Sequence, residues 1–124
     1  MVLIDSSVWI EHFKSTDIRL LDLLHNHQVL VHEMVIGELM LGAIKQRSLV
    51  IALLSDMTSA NVARYHELLS FVAHNKLYER GIGWVDCHLL ASCKITPETT
   101  LWTQDKRLAA VAKSLQISYS FELH

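Results

Sequence analysis

Val2-Leu3-Ile4 is an uninterrupted apolar run that ends at Asp5, and it predicts a short buried strand. The period then changes. Ser6 to Lys14 carries helical spacing, and Thr16 to His25 predicts a second helix through Ile18, Leu20, Leu21, Leu23 and Leu24. Gln28 to Val31 is a second β-rich run, followed by helices over Glu33 to Ile44 and roughly Gln46 to Leu54. Asn61 to Glu79 reads mainly as helix, and Gly81-Ile82-Gly83 breaks it. Trp84 to Cys93 predicts another helix, Thr99 to Thr103 a third strand, Asp105 to Ser114 a helix and Ile117 to Phe121 a last strand. Short apolar strands alternating with helices give an α/β fold, with a mostly parallel sheet covered on both faces. Such sheets bind ligands beyond the carboxyl ends of their strands. Asp5 directly follows the first strand and Asp105 lies just past the third, so both belong at that rim.

Composition narrows the class. A chain of 124 residues fits one domain, 1–124, and 51% apolar against 19% charged residues excludes disorder. One proline and four glycines leave no linker to place. No basic leader opens the chain and no run approaches a membrane span, so a soluble, cytoplasmic protein is expected. Cys87 and Cys93 sit six apart in one predicted helix, a spacing that suits packed, reduced thiols rather than zinc or redox chemistry. The net charge of −2 argues against passive binding of nucleic acid through phosphates. A bound metal can supply the positive charge that the side chains lack.

Most of the thirteen acidic residues have ordinary helical neighbours: Arg19 and His25 for Asp22, Lys14 for Glu11, Arg64 for Glu67. Glu38 differs, with only Met34, Val35, Leu41 and Gly42 three and four residues away. Asp86 repeats the pattern with Ile82, Gly83, Leu89 and Leu90. Both are expected on buried faces, where a carboxylate needs a partner, a proton or a metal. A buried salt bridge explains one such residue as well as a metal does, but no Lys or Arg shares either face. Asp5 and Asp105 taken singly read as helix caps. Convergence of all four instead suits Mg²⁺ or Mn²⁺, which take oxygen ligands. Two such ions roughly 3.5–4 Å apart activate water and stabilise the leaving oxygen in phosphodiester hydrolysis.

Other constellations carry less. His25, His27 and His32 cluster around the second strand, and exposed loop histidines are the favoured reading because no Cys or carboxylate completes a ligand set. Gly81-Ile82-Gly83 lacks the third glycine of a dinucleotide fingerprint. Trp9, Trp84 and Trp102 adjoin site candidates and are expected in the core.

Four segments resemble those of PIN-domain nucleases, in the family's order and spanning nearly the whole chain: Asp5-Ser6-Ser7-Val8-Trp9-Ile10, Val35-Ile36-Gly37-Glu38-Leu39, Gly83 to Ala91 with Asp86, and Leu101 to Leu108 with Thr103 and Asp105. Size and opening motif are most similar to the VapC toxins of bacterial toxin–antitoxin pairs. The resemblance implies a three-layer α/β/α fold with a short central sheet and a Mg²⁺- or Mn²⁺-dependent endoribonuclease. It also implies a homodimer held inactive by a small cognate antitoxin. It carries Asp5, Glu38, Asp86 and Asp105 over as catalytic metal ligands, with Ser7 and Thr103 in support. Lys106 and Arg107 are candidates for RNA contacts because they adjoin Asp105. His88 has no counterpart and points away from Asp86 on its helix. A fifth acid just past Asp105 is absent, which predicts a second ion that is weakly held or arrives only with substrate. Two alternatives stand beside the nuclease: an inactive RNA- or protein-binding module of the same fold, and a phosphoacceptor receiver domain. The receiver lacks paired acids after the first strand and has no place for Glu38 or Asp86.

Overall fold

The computed structural model describes residues 1–121. Three strands, β1 (Val2–Ile4), β2 (Val29–Leu30) and β3 (Thr100–Trp102), lie in the spatial order β2-β1-β3, and both pairings are parallel. Val2 faces Val29 and Thr100, Leu3 faces Leu30 and Leu101, and Ile4 faces Trp102. Successive side chains of a strand point to opposite faces. All three of β1 are at most 4% exposed, so both faces are covered. That is why the strand reads as a solid apolar run instead of an alternation.

The outer edges are thinner than expected. The last strand, predicted over Ile117 to Phe121, is a single parallel bridge between Leu101 and Ser118. Leu101 N–H donates to Ile117 O at 2.7 Å and Tyr119 N–H donates to Leu101 O at 2.9 Å. In β3, alternate residues serve opposite neighbours: Thr100 N–H bonds Met1 O, and Trp102 O receives Asp5 N–H. Only the middle residue of so short a strand is left for an outer partner. A matching bridge on the other edge, Val31 with Ser59, was not legible in the sequence.

The helices are α1 (Ser6–Lys14), α2 (Ile18–His25), α3 (Glu33–Leu41), α4 (Arg47–Ser55), α5 (Tyr65–His74), α6 (Trp84–Ile95) and α7 (Lys106–Ser114). Where they differ from expectation, the caps give the reason. Asp17 accepts from Arg19 N–H, so α2 opens two residues later than Thr16. Asn61 is tied to Thr96 Oγ1 and Ile95 O in an extended approach, and Lys76 and Glu79 adopt positive φ, which leaves α5 only the middle of the predicted Asn61–Glu79 span. Among the described residues no helix is long and apolar enough to cross a membrane.

The chain builds the sheet outward from β1 to β2 and the Ser59 edge, then returns through α5 and α6 to β3 on the opposite side of β1. The direction of winding therefore reverses between β1 and β3. In a parallel sheet this is where a crevice opens above the carboxyl ends.

Candidate active site

Asp5 ends β1 at that reversal. It caps α1 by accepting Ser6 N–H at Oδ1, 2.8 Å away. Its Oδ2 receives two hydroxyls, Ser7 Oγ at 2.8 Å and Thr103 Oγ1 at 2.7 Å. The same hydroxyl oxygens accept backbone N–H groups, Ser7 from Gln104 at 2.9 Å and Thr103 from Asp105 at 3.0 Å. Each hydroxyl has one proton, and both are aimed at Asp5. Ser7 and Thr103 thus lock a carboxylate that is only 6% exposed.

Asp105 caps α7, with Oδ1 accepting Arg107 N–H at 2.9 Å and Leu108 N–H at 3.1 Å. Asp86 accepts Gly83 N–H at Oδ2, 2.9 Å away, at the start of α6. One oxygen of each is thereby oriented. Asp86 Oδ1 and Asp105 Oδ2 accept no hydrogen bond among the described residues.

Electrostatics show that the acids share one region. Burial raises the Asp86 pKa; the Gly83 N–H opposes this, and the charges of Asp5 and Asp105 add to the rise. Partial burial likewise raises Glu38; a hydrogen bond from the Ser6 side chain opposes it, while Asp5 and Asp86 push it further. Among the described residues the sole ion pair is Arg19–Asp17, so none of these four acids has a Lys or Arg partner. Nor do three His, Cys, Asp or Glu side chains stand there as a ready-made metal cage. The arrangement is an open cluster of like charges, oriented by neutral donors.

The expectations for Glu38, His32 and Trp84 need correction. Glu38 is not on a buried face. Its side chain reaches solvent, although its surroundings still desolvate it enough to raise its pKa, because α3 carries apolar residues on its outer side as well: Val35 and Leu39 are core, whereas Leu41 is 89% exposed. His32 is not an exposed loop histidine like His25 and His27 but is wholly buried as the N-cap of α3. Its strand-then-helix position was the available signal, since side chains that accept hydrogen bonds cap helices there. Ser6, whose side chain acts against the rise in the Glu38 pKa, was also missed.

The remaining candidates fall as follows. Lys106 and Arg107 are exposed. Arg107 reaches across to Gly81, where an added Cβ would lie 2.8 Å from its Cδ, so it spans the starts of α6 and α7. Trp9 and Trp102 are core, while Trp84 is 43% exposed against Tyr65 and His88. His88 is buried, turned toward His32 with ring centroids 5.9 Å apart, and its Nδ1 lacks a partner among the described residues. Cys87 and Cys93 are buried free thiols in α6, and burial raises both, Cys93 to about 12.

The PIN domain family matches residues 2–114, which include all four acids. The chain is also 41% identical over 123 residues to a protein named Ribonuclease VapC32 from two strains of Mycobacterium tuberculosis, CDC 1551 / Oshkosh and ATCC 25618 / H37Rv, covering 99% of each chain. A family match across nearly the whole chain, on a fold that gathers the acids at its sheet reversal, shows that this chain belongs to the PIN-domain family, among its VapC-type members.

Proposed function

We propose that this chain is a metal-dependent endoribonuclease, the toxin half of a toxin–antitoxin pair, acting as one PIN-like domain. The observation that carries the reading is a cluster of four acids at one sheet reversal with no cationic side chain paired to any of them. Like charges kept together at a cost need a cation from outside. The relatives' printed name, ribonuclease, supports RNA as the substrate.

The donors are all carboxylate and hydroxyl oxygens, which fits Mg²⁺ or Mn²⁺ better than softer metals. Asp86 and Asp105 would hold the ion through their free oxygens, with Asp5 and Glu38 beside them and water completing the shell. When bound, the metal activates water toward phosphorus and stabilises the departing oxygen. Ser7 and Thr103 hold Asp5 in place. Lys106 and Arg107 meet phosphates flanking the cut. The exposed Met40, Leu41, Leu49 and Leu53 of α3 and α4 support a homodimer, and a cognate antitoxin is the expected regulator.

The decisive experiment is cleavage of total cellular RNA with Mg²⁺, Mn²⁺ or EDTA, run beside Asp86→Asn. That change removes charge, preserves volume and keeps an oxygen for Gly83 N–H. Metal-dependent cleavage absent from a mutant that melts normally supports the nuclease. Equal inertness of both proteins would favour the binding-module alternative, and a mutant that melts far below wild type would make Asp86 structural.

A further inference from the structure

One buried polar pair lies outside the acid cluster. His32 and Ser92 are both 0% exposed, and polar side chains so placed are kept when their bonds are made. His32 Nδ1 accepts Met34 N–H at 3.0 Å, closing the start of α3. An accepting Nδ1 carries no proton, so the proton of the neutral ring is on Nε2, which donates to Ser92 Oγ at 3.0 Å. Burial, helped by the neighbouring His88, lowers the His32 pKa to about 4, so the ring is neutral near pH 7.

The placement of this bond is informative. Glu38 lies six residues after His32 on α3, and Asp86 lies six residues before Ser92 on α6. With His32 beside Ser92 and Glu38 close enough to Asp86 to raise its own pKa, the two helices run in opposite directions. The bond sits about 9 Å along each helix from the carboxylate that helix carries. A helix moves as a rod over so short a span, so sliding at the bond becomes equal sliding at the acids. α3 packs mainly on α4 and α1 and only lightly on α6. Those first two neighbours fix α3 against the rest of the core, so its small contact with α6 leaves a directional bond to set the offset between the two helices against the repulsion of Glu38 and Asp86.

We propose that the His32–Ser92 hydrogen bond is a positioning tie that sets the register of α3 against α6, and through it the separation of Glu38 from Asp86. His32 touches no reacting group and acts only through the two helices. The tie rests on the proposed metal-binding role of the acids.

The test is Mn²⁺ affinity, measured by electron paramagnetic resonance on the full chain, with cleavage kinetics alongside. His32→Asn keeps an acceptor for Met34 N–H but is too short to reach Ser92, and Ser92→Ala keeps the cap and removes the hydroxyl. Each is expected to weaken Mn²⁺ binding about 10-fold, as loss of outer-shell support does. The double variant should be no worse than either single one, because both remove the same bond. The kcat should fall while the KM for RNA holds. Leu20→Val, a core change on α2, should lower the melting temperature without moving Mn²⁺ affinity. The tie is overturned if both single variants bind Mn²⁺ as wild type does, if their losses add in the double variant, or if Leu20→Val matches them. Wild type binding Mn²⁺ no better than Asp86→Asn would instead remove the metal role of the acids, and the tie with it.

Discussion

Asp5 and Asp17 do the same local job and are treated in opposite ways. Each ends an extended segment and caps the helix that follows. Asp17 is then paired with Arg19, whose Nε lies 3.2 Å from Oδ1 and whose terminal nitrogen lies 2.9 Å from Oδ2. That guanidinium, first through its hydrogen bond, lowers the Asp17 pKa. It is held flat by Phe121 at 4.0 Å, within cation–π range. Asp5 meets only neutral donors, and its charge instead reaches Glu38 and Asp86, which it raises. A capping acid with a cation serves the helix. A capping acid denied one, and set among other acids, leaves its charge to act on its neighbours.

The contrast can be broken most sharply through activity. Asp5→Asn should reduce metal-dependent cleavage by on the order of 10⁴-fold, the low end of what loss of one member of a catalytic set costs. Asp17→Asn should leave cleavage unchanged. Similar losses from both, measured as single-turnover rates on one RNA, would erase the distinction.

The pH dependence of stability separates a buried base from the crowded acids. His32 takes a proton near its ordinary 6.5 in the unfolded chain but only near 4 in the folded one. The unfolded state therefore binds more protons between those values, and stability falls as pH drops through that window, by about 3 kcal/mol once pH 4 is reached. In His32→Asn this loss should be absent from urea unfolding curves. Glu38 and Asp86 have the opposite sign. Their raised pKa values mean that the folded state binds protons more readily, so the penalty they impose in metal-free protein is full at neutral pH and relieved as acid protonates them. Asp86→Asn should accordingly melt above wild type at pH 7 in EDTA.

Smaller effects remain. Gly81 has φ +77, and a side chain there would meet Arg107. Gly81→Ala should cost about 1–2 kcal/mol through the left-handed backbone and weaken RNA binding by displacing Arg107. An unchanged Kd for RNA on a catalytically silent Asp86→Asn background would remove Arg107 from the interface. Arg19→Met should cost less than about 1 kcal/mol in thermal unfolding, the scale of an exposed pair.

The order of strands and helices, the parallel sheet and the two capping acids Asp5 and Asp105 were legible because each leaves a local mark. An apolar run marks a strand covered on both faces, an Asp after a strand marks a cap, and an acid among apolar neighbours at helical spacing stands out. Asp5 and Asp105 are the caps that this reading made them, and they also reach Asp86 electrostatically. Local marks failed where the answer depended on what packs against a residue. The neighbours of Glu38 looked like core, yet Leu41 faces solvent because nothing in the described chain covers that side of α3. Ile117 to Phe121 has strand composition, but β3 offers its outer edge a single residue. His32 looked like a loop histidine, and only the arrival of Ser92, sixty positions along the chain, made it a buried donor. The sequence by itself determined which groups carry charge and where the chain turns, since those follow from neighbours a few residues apart. Tertiary structure alone decided which charges meet, which go without a partner and which helix faces are closed off, because these are set by contacts between segments whose spacing in sequence says nothing of their distance in space.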